Sequence, residues 1–80
     1  MTRDYRRHSM SQFPKLMVIR RARLKHDLTQ VELARAIGSS WISVMRWENG
    51  HSRIRPEFAV RVADVLGLKP SQLRPDVFRY

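Results

Sequence analysis

An all-α domain of four helices and a short fifth is the expected fold, on three features. Apolar residues recur at helical spacing in four separate stretches. No stretch shows the strict alternation of a half-buried strand. Each candidate helix is bounded by capping and stop residues at the right offsets. Eighty residues allow one domain and little more. A core this small yields only about 3–5 kcal/mol, so tight helical packing or dimerisation must help.

The residues preceding Pro14 are polar and basic, with Arg3, Arg6 and Arg7, and show no helical period. Residues 1–13 are expected to form a flexible basic arm, either solvated or touching phosphates or the minor groove. Pro14 suits the first turn of a helix. Helix one is expected over residues 15–26, with Leu16, Ile19 and Ala22 inward, Val18 at the margin, and Arg20, Arg21 and Lys25 outward.

Helix two opens on Thr29, an N-cap with Glu32 three residues on, the spacing of a capping box. Leu33, Ala34 and Ile37 share one face, and Gly38 can close the helix with positive φ. Ser39 and Ser40 can cap helix three, which turns Val44 and Trp47 inward. Thr29 to Gly50 therefore reads as a helix-turn-helix, a motif that lays its second helix in the DNA major groove. After a loop over residues 51–55, Pro56 and Glu57 start helix four. Phe58, Ala59, Val62, Ala63 and Leu66 are its buried stripe, and Gly67 its stop. Pro70 to Leu73 can form a short fifth helix ahead of Pro75. Residues 14–74 form the expected domain, and 75–80 an apolar tail.

Sixteen Lys and Arg against seven Asp and Glu leave a net charge of +9. That favours polyanionic partners. No apolar run approaches the roughly 20 residues that span a bilayer, and no secretion signal is visible. No cysteine is present, so disulfides and cysteine zinc sites are excluded. His8, His26 and His51 share no metal-ligand spacing, and no nucleophile elbow, phosphate loop or HExxH occurs. The expectation is a cytoplasmic, nucleoid-associated protein that is not an enzyme and takes no cofactor or metal.

Leu28-Thr29-Gln30, Glu32-Leu33-Ala34 and Trp47-Glu48-Asn49-Gly50, at their mutual spacing, resemble the Cro and repressor type of helix-turn-helix, the XRE family. The resemblance runs from about Ile19 to Leu73. It implies a compact lambda-repressor-like domain and a regulator, a repressor for preference, acting as a homodimer on a pseudo-palindromic site. It also implies that Arg23 is a partly buried partner of Glu48 rather than one more solvated cation. Asp27 stands where that family usually has Gly, so helix one either ends there with slight strain or runs one residue further. The tail Leu73-Arg74-Pro75-Asp76-Val77-Phe78 is similar to small phage-derived, YdaS-like Cro-type proteins.

DNA binding needs phosphate contacts for affinity and base-edge contacts for sequence preference. By the resemblance, Gln30 contacts phosphate or a base edge with a free amide. Ser40, Trp41, Ile42, Ser43, Met45 and Arg46 are the outward candidates on helix three. Arg46 is the leading base reader, because its planar fork matches guanine O6 and N7. Asn49 can offer side chain or backbone N–H to phosphate, and Arg53 and Arg55 can neutralise phosphates. Trp41 and Ile42 depart from the Gln, Ser or Thr common in the family. Three readings stay open for them: contact with thymine methyls or sugars, burial in the core, or an exposed patch for a protein partner. The last, with the apolar tail, motivates an alternative function as an antitoxin that binds a toxin and its own promoter. Val77, Phe78 and Tyr80, with Leu68, are the candidate dimer surface.

Overall fold

The computed structural model describes residues 12–79. Helices α1 (Met17–Lys25), α2 (Gln30–Ile37), α3 (Trp41–Asn49) and α4 (Pro56–Leu66) precede a single 3-10 turn at Pro70–Gln72. No strand occurs among the described residues. Helix α2 packs on both α3 and α4, α1 lies across α3 and α4, and the 3-10 turn closes against α4. The core takes Ile19 from α1, Leu33, Ala34 and Ile37 from α2, and Val44 and Trp47 from α3. Ala59, Val62, Ala63 and Leu66 of α4 complete it from the other side. The Trp47 and Phe58 rings meet at 5.8 Å with a 40° tilt, so Trp47 is a core residue. Phe58 itself is half-buried.

Local chemistry sets most helix ends. The Thr29 hydroxyl accepts from the Glu32 N–H at 3.1 Å, and the Glu32 carboxylate accepts from the Thr29 N–H at 2.8 Å. Two of the unpaired N–H groups at the start of α2 are thereby satisfied. Ser40 caps α3 through the Ser43 N–H at 3.3 Å. Pro56 fills the first position of α4, where a missing N–H costs nothing. Each of the four described α-helices then closes on a left-handed residue followed by a reaching N–H. The four bonds run from Leu28 to Arg23, Ser39 to Ala34, His51 to Arg46 and Leu68 to Ala63, at 2.8–2.9 Å. Three closures use glycine, and Asp27 makes the fourth at φ 58°. Helix α1 thus ends with a strained non-glycine residue instead of running further.

Helix α1 begins two residues later than its sequence pattern suggests, and Pro14 lies ahead of it rather than in its first turn. The cause is tertiary. The Leu16 N–H donates to the Trp47 carbonyl at 3.2 Å, and the Phe13 N–H to the Gly50 carbonyl at 3.0 Å. The chain is held against the end of α3 until Met17. Phe13, assigned to the flexible arm from sequence, is half-buried and belongs to the domain. Residues 1–11 of that arm, including Arg3, Arg6, Arg7 and His8, lie outside the described residues.

The C-terminal segment also differs from expectation. Leu73 is buried in the core, and Leu68 and Phe78 pack against it. Leu68 and Phe78 are therefore partly used within this chain rather than wholly free as a dimer surface. Val77 stays exposed, and Tyr80 lies outside the described residues. Arg74 straps this segment down. Its Nη1 donates to the Ile54 carbonyl at 2.7 Å, while Nε and Nη2 grip the two Asp76 oxygens at 2.9 and 2.8 Å. Those bonds hold the Asp76 carboxyl down to about 2. Ile54, which looks like an isolated loop residue in sequence, is 1% exposed beneath that strap.

An L-residue in the left-handed region carries steric strain that glycine lacks. Asp27→Gly is therefore expected to raise unfolding stability by about 0.5–1 kcal/mol, after the larger entropy of the unfolded glycine chain is deducted. Urea titration checks it, and a loss of stability would contradict the strain argument.

Candidate nucleic-acid interface

Helices α2 and α3 are joined by Gly38, Ser39 and Ser40, with Gly38 at φ 75°. That geometry leaves one side of α3 against the core and the other open. Val44, Trp47 and Glu48 are buried. Trp41, Ile42, Arg46 and Asn49 are exposed, and Ser43 and Met45 are half-buried. Ile42, Arg46 and Asn49 follow the i, i+4, i+7 spacing of a single outward stripe.

The orientation of that stripe is set by a buried polar network behind it. Arg23 Nε donates to Glu48 Oε2 at 2.8 Å, and Nη2 to Oε1 at 3.2 Å. Arg23 Nη1 donates to the Leu28 carbonyl at 2.9 Å. Gln30 Nε2 donates to Glu48 Oε1 at 3.1 Å. One carboxylate thus ties α3 to both α1 and the first residue of α2. Among the described residues no buried side-chain nitrogen or oxygen lacks a partner, which is the condition under which such a network holds.

The network changes the expected role of Gln30. Its amide is not free: one N–H is committed to Glu48, because a buried carboxylate needs donors. The amide oxygen and the second N–H are left for a ligand. Asn49 is likewise constrained, being the last residue of α3 with its amide turned back on the Met45 carbonyl at 2.9 Å. Ser40 serves as a cap, and its hydroxyl lies 3.2 Å from that of Ser43. Trp41 and Ile42 are not core residues; they expose 48% and 41% of their surface.

Charge separates along the same lines. Between Gly38 and Pro56 the only acidic residue is Glu48, and it is neutralised from behind by Arg23. Arg46, Arg53 and Arg55 are exposed. Arg46 has no partner among the described residues. The Arg53 guanidinium sits 5.5 Å from the centroid of the Phe13 ring, and Arg55 immediately precedes α4. The open side of α3 therefore presents the cation Arg46 with the apolar Trp41 and Ile42, and no exposed carboxylate occurs between residues 38 and 56.

Two arginines serve the scaffold in ways the sequence reading missed. Arg61 donates from Nη1 to the Ile37 carbonyl at 3.1 Å and lies 5.3 Å from the Phe58 ring centroid. It supports the turn between α2 and α3 from α4. Its i+3 offset from Phe58 was the visible hint. Arg74 had none beyond the Arg-Pro-Asp spacing. A largely apolar groove of about 520 Å³ lies between residues 13–18, 52–54 and 72–76. No group of three or more His, Asp or Glu among the described residues could hold a metal. None of the described helices is long and apolar enough to cross a membrane. His26 Nε2 lies 3.2 Å from the Leu66 carbonyl, and His51 is exposed.

Removing one member of a buried ion pair strands the other charge. Arg23→Ala and Glu48→Ala are each expected to cost about 3–5 kcal/mol. Together they should cost less than their sum, with a coupling of about 1–3 kcal/mol. Urea unfolding in a trimethylamine oxide background, which keeps the weaker variants folded, measures the cycle. Simple additivity would contradict the pairing.

A helix-turn-helix family model matches residues 19–73. No curated protein matches the chain. The matched region runs from the buried Ile19 of α1 to the buried Leu73 behind the 3-10 turn, and so takes in all of the core named above. With its two-helix unit intact, its outward stripe clear of the core and the fold of DNA-binding transcription regulators, the chain belongs to the XRE type of helix-turn-helix family.

Proposed function

We propose that the protein is a sequence-specific transcriptional regulator, a repressor, that places the helix from Ser40 to Glu48 in the major groove of its operator. The observation that carries this reading is the outward face of α3. Arg46 stands exposed at its centre, Trp41 and Ile42 open it, and the exposed Arg53 and Arg55 follow it in the next loop. A groove about 12 Å wide admits one helix, and a helix held at a constant angle by Arg23 and Glu48 meets it in a single register.

Within this reading Arg46 donates to guanine O6 and N7. Gln30 and Asn49 give their remaining amide N–H to phosphate. The Ser40 and Ser43 hydroxyls and the Met45 side chain line the approach. Arg53 and Arg55 neutralise phosphates, each contributing about 0.9 to the slope of log affinity against log salt. Residues 14–74 form the binding unit. The protein acts at the nucleoid in the cytoplasm as a homodimer on a pseudo-palindrome, with half-sites about one helical turn apart. Of the tail, exposed Val77 is the surface available to such a dimer. The motif Leu73 to Phe78 supports a phage-derived, YdaS-like origin.

Selection of binding sites from random duplexes, with the natural chain and with Arg46→Ala, tests the assignment. The variant should lose preference at one position of each half-site by about 5- to 150-fold, the factor for about 1–3 kcal/mol, with little loss of overall affinity. A random duplex that competes as well as the best selected site would refute sequence-specific binding.

A further inference from the structure

The proposed interface carries a feature that its charge leaves unexplained: two large apolar side chains in the first turn of α3. Neither belongs to the core, since Val44 and Trp47 hold the inward positions. Ile42 projects from the same stripe as Arg46, one turn nearer the helix start. It has no donor or acceptor, and Trp41 has only its indole N–H.

Major-groove edges differ in what they offer such a group. Adenine, guanine and cytosine present donors and acceptors there, and an isoleucine laid on them would strip their water without replacing the bonds. Thymine alone adds a methyl group. A protein partner suits the surroundings less well. Arg46, Arg53 and Arg55 are the exposed charges nearby in sequence, and no exposed carboxylate lies among residues 38–56. That is the complement of a polyanion with apolar points, not of an ordinary protein surface.

We propose that Ile42, flanked by Trp41, reads the C5-methyl of a thymine in each half-site. The inference rests on the DNA-reading role argued above. Ile42 and Arg46 are separated by about 6 Å along the helix at about 1.5 Å per residue. Base pairs stack about 3.4 Å apart. The thymine therefore lies roughly one or two steps from the guanine held by Arg46.

The test replaces each thymine of the selected duplex, one at a time, by deoxyuridine, which differs only by the missing methyl. Affinity is read by fluorescence anisotropy for the natural chain, Ile42→Ser and Trp41→Ser. Both substitutions are at exposed positions, and circular dichroism melting verifies that the variants fold. The expected result is an approximately fourfold loss at one thymine per half-site, the factor for burying about one methyl-sized group. The loss should vanish in Ile42→Ser and shrink in Trp41→Ser. Retained site preference with no deoxyuridine effect would overturn the proposal while leaving sequence-specific binding intact, and would point to a protein partner for the patch. An equal loss in natural and variant chains would overturn it too, by assigning the methyl effect to other residues or to DNA shape. Failure to select any site would remove the DNA-reading role and this proposal together.

Discussion

The carboxylate of Glu48 is the point on which this small domain turns. It is buried near the end of α3 and accepts from Arg23 twice and from Gln30 once. Arg23 in turn reaches the carbonyl of Leu28 in the loop between α1 and α2. Three helices and one loop meet in a single set of directional bonds. Apolar packing alone would give comparable stability, since buried ion pairs rarely exceed a well-packed hydrophobic equivalent. Packing is, however, tolerant of small rotations, whereas a guanidinium fork on a carboxylate is not. The network is best understood as fixing direction: it sets how α3 stands relative to α1 and α2.

That direction explains the distribution of side chains on α3. Its inward residues, Val44 and Trp47, meet the core beside Glu48. Its outward residues are free of structural duty, apart from the capping by Ser40 and the back-bonded amide of Asn49. A domain of this size buries few large side chains, so leaving Trp41 and Ile42 in water is a real sacrifice of core. Besides Arg23, the arginines Arg61 and Arg74 support the fold at the carbonyls of Ile37 and Ile54. The cationic content of the chain thus divides into struts and exposed charge.

Much of this was legible in the sequence because it is local. The capping pair Thr29 and Glu32, the cap at Ser40, Pro56 at the first position of α4 and the stops at Gly38 and Gly67 all act within a few residues. The buried stripe of α2 and the inward pair of α3 follow from helical period, and Arg23 with Glu48 was implied by resemblance. What escaped notice depends on distant chain segments. The delayed start of α1 is imposed by carbonyls of Trp47 and Gly50. Ile54 is a single apolar residue in a loop, and Leu73 ends a segment too short for a helical period, so no periodicity marks them as core. The tail was read as spare apolar surface, yet Leu68 and Phe78 cover the core of their own chain. Gln30 was expected to be free because its partner, Glu48, lies eighteen residues away.

The central claim is that the face of α3 opposite Glu48 is the working surface. Amide chemical shifts recorded while a selected duplex is titrated into the labelled protein test it most directly. The account predicts the largest changes at Gln30, residues 40–46, Arg53 and Arg55, with the outer side of α4 at Val60 and Asp64 unmoved. Largest changes at Val60 and Asp64, or around Leu16 and Leu73 in the apolar groove, with α3 silent, would contradict it.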